Sequence, residues 1–146
     1  GECSENDDFI EILIDGAVNQ PIKMLNTIFE SYENNSISMI VPALAAILSN
    51  SAKSFKQSIR SKLVYFLGIL NISDIVFLVE LLQSKIFKSG LGSFSQKIIK
   101  EVMQKWRDKE LKEYVVKFPK DIYFLCKAVH PKFSPEKNAI IAEIFA

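Results

Sequence analysis

The chain has one histidine, His130, so any nucleophile that needs an imidazole base must be built around it. Cys126 lies four residues earlier, one helical turn, which sets a thiol beside that imidazole. The same cysteine shares an apolar stripe with Ile122 and Val129, where thiols are ordinarily inert structural residues. No GxxxxGK[ST] loop, GxGxxG loop or HExxH helix occurs, and the carboxylates lack metal-ligand spacing. Cys3 and Cys126 stand apart without a CxxC pair, which points to a reduced, intracellular compartment. No catalytic residue, metal ligand or cofactor is assigned, and an enzyme is not expected.

The lysines offer a different chemistry. At 100° per residue, Lys97, Lys100 and Lys105 fall opposite the Ile99, Val102 and Trp106 stripe. Lys120 and Lys127 fall opposite Leu125 and Val129, flanked by Tyr123 and Phe124, with His130 at the edge of that face. Lys117 precedes this segment and Lys132 follows it. Lysines meet phosphates as point charges, while aromatics and a histidine stack on unpaired bases. An amphipathic helix that merely wears lysine on its wet side would show the same spacing, and Trp106 at the centre of its stripe reads as core.

These groups need helices to position them. Asp7 or Asp8 caps a first helix with Phe9, Ile10, Leu13, Ile14 and Ala17 inward. Pro21 opens a second, with Ile22, Leu25, Ile28 and Phe29. After the turn 34–36 comes an apolar segment, Ile37 to Leu48, hydrophobic nearly all round and interrupted by Pro42, which either kinks it or marks its first turn. The next stripe is Phe55, Ile59, Leu63, Phe66, Leu67 and Leu70. Asn71-Ile72-Ser73 then caps a helix from Asp74 to Phe87, and residues 89–93 form a Gly/Ser loop. Ile98, Ile99, Val102 and Met103 define the following helix, and Asp108 caps a short one that Pro119 closes. Asp121 begins another that His130-Pro131 stops, and Ser134-Pro135-Glu136 starts the last.

The fold class is therefore all-α, with eight or nine helices in antiparallel hairpins stacked as a HEAT-like α-solenoid. Turns near residues 35, 71 and 107 recur at a helical-repeat period. Residues 1–146 fit one domain. The longest apolar run, Met39–Leu48, is far short of a membrane span, and no signal peptide is visible. Gly1 in place of Met points to processing or a boundary upstream. The net charge of +1 hides a division: residues 1–50 hold one basic and eight acidic side chains, and the remainder seventeen basic and nine acidic. A basic half points to an anionic partner, although a charged surface also serves solubility.

Four motifs follow one another in the second half. Lys97-Ile98-Ile99-Lys100 leads to Trp106, and Val116-Lys117-Phe118-Pro119-Lys120 forms a basic cluster. Asp121 and Leu125 precede the turn His130-Pro131-Lys132, and Ala139-Ile140-Ile141 runs to Ile144. In this order, Phe55–Ala146 resembles the TROVE module of the Ro autoantigen family, RNA-binding proteins built as a ring of HEAT-like repeats. The resemblance implies RNA contacts at Lys117, Lys120, His130 and Lys132, and extends to Lys97 and Lys100. A similar module occurs in telomerase-associated proteins. The linker before Asp121 is shorter than the family's, lysines replace arginines, and no von Willebrand-type domain is present, so a fragment or a shorter relative is implied.

The expected function is that of an RNA-binding domain in a cytoplasmic or nuclear ribonucleoprotein, taking small structured non-coding RNA, with other protein subunits as further partners and no membrane. The alternative is a protein-interaction scaffold of the α-solenoid class, with a groove for a partner helix.

Overall fold

Proline at the first helical position loses no hydrogen bond, because that N–H has no intrahelical acceptor. Pro21 accordingly opens α1 (Pro21–Ser31), which buries Leu25 and Ile28. In the computed structural model, residues 15–16, 19–31, 37–50, 57–87 and 91–145 are described; the expected first-helix residues Phe9 to Ile14 and Ala17 lie outside them.

The run after Ile37 forms α2 (Ile37–Asn50), buried at every position from 40 to 48. Pro42 sits inside this helix rather than in its first turn. Its ring nitrogen has no proton for the carbonyl four residues earlier, a local cost that complete burial of the segment offsets. Ala43, Ala45 and Ala46 keep the helix slim enough for neighbours to approach on several sides.

Next come α3 (Gln57–Gly68), burying Leu63, Phe66 and Leu67, and α4 (Ile72–Leu82), burying Ile75, Leu78 and Val79. At the start of α4 the Asn71 N–H donates to the Asp74 carboxylate at 3.2 Å. The helix ends at Leu82 instead of reaching Phe87, because the Ser84 hydroxyl takes the Leu81 carbonyl at 2.6 Å and diverts the backbone into turns. Then follow α5 (Ser93–Gln104), α6 (Asp108–Lys117), α7 (Pro119–Val129) and α8 (Pro135–Phe145). Two further boundaries differ from the sequence expectation. Arg107, in extended backbone, is the N-cap of α6, and Asp108 lies inside its first turn. Pro119 opens α7 rather than closing α6, with Phe118 as the single joint between them. Proline pushes the preceding residue out of helical backbone and then serves at the first helical position.

Every described element is helical, eight helices in all, in keeping with an all-α fold. Helices α2, α4 and α6 begin at Ile37, Ile72 and Asp108, 35 and 36 residues apart, so the period of the turns is a period of helix pairs. The broadest packing joins helices two apart: α2 with α4, α3 with α5, and α6 with α8. Between them, α7 packs on α4, α5, α6 and α8. Ser95, 1% exposed, donates from its hydroxyl to the Leu48 carbonyl at 3.3 Å. That carbonyl lies in the last turn of α2, where no intrahelical donor exists.

Candidate nucleic-acid interface

Helix α7 carries the best-defined polar face. Ile122, Leu125 and Val129 point into the core, so the opposite side must face water. On that side Lys120, Tyr123 and Lys127 lie within about 60° of one another. All three are exposed, and the Lys127 ammonium sits 5.5 Å from the centre of the Tyr123 ring. Tyr123 remains 47% exposed. Lys117, at the end of α6, and Phe118, 51% exposed at the joint, extend the surface beyond Lys120. One side of the Phe118 ring packs on the Tyr114 ring, with centroids 5.0 Å apart.

At the other end of α7, His130 is the C-cap in left-handed backbone (φ 54°), its N–H donating to the Cys126 carbonyl at 3.0 Å. Pro131 cannot continue the helix. This conformation leaves His130 exposed at the corner, with Lys132 exposed two residues on. A cross-element bond then fixes where the corner lies. The Gln104 side chain at the end of α5 donates to the Lys132 carbonyl at 3.0 Å. Along α5, exposed Lys97 and half-buried Lys100 share the outward stripe of Gln104. Two basic strips therefore meet at the His130–Lys132 turn, one along α5 and one along α7.

The six candidate residues fall into two groups. Lys97, Lys100, His130 and Lys132 belong to the strip that Gln104 ties to the turn. Lys117 and Lys120 lie at the far end of α7, about 16 Å from His130 along an eleven-residue helix. Tyr123 and Lys127, on the same face, bridge the interval. None of the five candidate lysines has an ion pair among the described residues. Lys105 differs, because Glu101 holds it at 3.7 Å and pairs with Arg60 at 3.2 Å. Spacing places Lys127 and Tyr123 on this face, yet neither is among the six candidates, and the Gln104 link connects residues 28 apart and leaves no trace in any local pattern.

Asp121, in the first turn of α7, is held by its neighbour α6. The Tyr114 hydroxyl of α6 donates to the Asp121 carboxylate at 2.6 Å, which draws Asp121 toward α6. Burial pushes the Tyr114 phenol above its ordinary value near 10, and the Asp121 hydrogen bond and the charges of Asp121, Asp74 and Glu80 push the same way. A raised folded-state pKa favours the protonated form, so its stabilisation is complete below pH 10 and is lost as pH rises past it. Alkaline unfolding followed by circular dichroism is expected to begin above about pH 10 and to be blunted in Tyr114→Phe. An identical alkaline limb in that variant would remove Tyr114 as its source.

Cys126 is half-buried, and burial pushes its thiol up. A nucleophilic cysteine needs the opposite shift. Alkylation at neutral pH should therefore be slower in the folded chain than in denatured chain, and a faster folded rate would point to an activated thiol. Cys126 and His130 line one wall of an open groove of about 500 Å³ between α7 and α8, with Phe133, Asn138 and Ile141 across it. Elsewhere on α8, Lys137 pairs with Asp108 at 2.9 Å, joining the N-termini of α8 and α6.

Among the described residues no three His, Cys, Asp or Glu side chains gather as a metal site requires. No described helix is long and apolar enough to cross a membrane. Comparison of the chain with protein-family models, with curated proteins and with solved structures finds no match.

Proposed function

We propose that the chain is an RNA-binding helical-repeat domain of a cytoplasmic or nuclear ribonucleoprotein, and that RNA runs along α7 and turns at His130–Lys132. The observation that carries this reading is the composition of one face: Lys120, Tyr123 and Lys127 in line, with Lys117 and Phe118 at one end and His130 and Lys132 at the other. Phosphates meet the lysines, and unpaired bases stack on Tyr123, Phe118 and His130. Lysine, unlike arginine, provides charge without a bidentate fork, so affinity for the backbone exceeds selectivity for a particular base along this face. Pairs of helices at a 35–36-residue interval support a HEAT-like solenoid, and with the motif string ending at Ile144 they support a relative of the Ro or telomerase-associated modules.

A gel-shift comparison of one stem-loop with and without a single-stranded extension tests the stacking component. The extension should raise affinity by at least about tenfold, the worth of one stacked base. Equal affinity for both would reduce the face to a simple polycation. The scaffold reading draws on the exposure of Val116 (74%) and Phe118 beside the basic face. A partner protein retained where RNA is not, at low salt, would favour it.

A further inference from the structure

We infer that the groove between α7 and α8 is the pocket for one unpaired base of the bound RNA, with adenine the base it fits best. The inference rests on the RNA-binding reading above and assigns a separate part of the surface to it. The groove opens at the corner where the two basic strips meet, so a strand held by Lys127 and Lys132 passes its mouth. Its volume, about 500 Å³, lies within the range of small-ligand sites. Phe133 and Ile141 offer an apolar and aromatic floor for a flat ring, and His130 stands at the rim with a second ring. Asn138 is the polar group on the α8 side. One of its two amide N–H groups is engaged by the Phe133 carbonyl at 3.3 Å, which holds the amide in place. A second N–H and the amide oxygen remain, a donor beside an acceptor, the pair that asparagine presents to the N7 and N6 edge of adenine. Charge complementarity decides the occupant. No carboxylate is among the lining residues, and exposed Lys132 lies between two of them, Pro131 and Phe133, which suits a base on a phosphate chain better than an apolar peptide side chain.

Cys126 lines the same groove and gives a direct reporter. In a Cys3→Ser background, alkylation of Cys126 at mildly alkaline pH should slow at least about fivefold when single-stranded oligoadenylate is bound. Fully paired RNA should leave the rate unchanged. Ala142→Trp fills the groove from an exposed position on α8 without touching the core. It should abolish the protection and lower oligoadenylate affinity about tenfold, while duplex RNA, held by phosphates alone, binds as before. Asn138→Ala should erase the preference for oligoadenylate over oligocytidylate and leave overall charge-driven binding in place. If oligoadenylate binds wild type and Ala142→Trp equally and never shields Cys126, the groove assignment fails while the basic face stands. If no RNA binds at low salt, both fail.

Discussion

Replacing Lys117 and Lys120 with alanine and His130 with glycine should weaken RNA binding about 100-fold at moderate salt. Two of these changes remove the lysines proposed to meet phosphates at the far end of α7, and the third removes a ring at the corner. The salt dependence should fall with them. Each lost phosphate contact makes the slope of log K against log salt shallower by about 0.7–0.9, so two lysines remove about 1.5 units. The fold should be untouched. Lys117 and Lys120 are exposed and without ion pairs among the described residues. At φ 54° glycine suits the backbone better than histidine does, so His130→Gly carries no strain of its own. Circular dichroism and thermal unfolding of the triple variant should therefore overlay the wild type. A triple variant that binds normally would remove α7 from the interface, and one that unfolds would show a structural role for these side chains.

The second large effect concerns stability. Leu125 is fully buried on the inward side of α7, the helix that touches α4, α5, α6 and α8. Leu125→Ala removes three carbons from a packed interior and leaves a cavity that four helices cannot all close. The expected cost is about 3 kcal/mol in urea or thermal denaturation. For a chain of this size that corresponds to a midpoint lower by roughly 6–12 °C. Well below the midpoint, RNA affinity should be close to wild type, because every side chain of the outward face is retained. A loss below about 1 kcal/mol would mean that α7 is not packed as a central helix.

The helices were legible because burial imposes a period. Ile37–Leu48, apolar on every side, could only be a central helix, and α2 is buried throughout. Pro21 and Ser134-Pro135 marked helix starts, and Ser134 caps α8 by accepting the Lys137 N–H on its hydroxyl oxygen at 3.3 Å. Pro119 reads in the sequence as the close of one helix, with the next starting at Asp121, yet α7 starts at Pro119 itself. A proline both ends the helix before it and suits the first position of the one after, and Phe118, in non-helical backbone, is the joint between them. Ser84 likewise ended α4 through a local side-chain bond that competes with a strong apolar pattern. The lysine positions were readable from periodicity, but their grouping was not. Spacing placed Lys120 and His130 on one helix face, and it said nothing of α5 joining Lys132 through Gln104. Nor did any local pattern reveal the groove, since Cys126 and Asn138 come from different helices and meet only through packing.

The central claim is that phosphates dock on these lysines, and counterion release measures that directly. Binding of a stem-loop RNA with a single-stranded extension should be titrated between 50 and 200 mM salt. Four to six contacts, at about 0.7 each for a single strand, predict a slope of about −3 to −4. A slope near zero, or no binding at 50 mM salt, would contradict the claim.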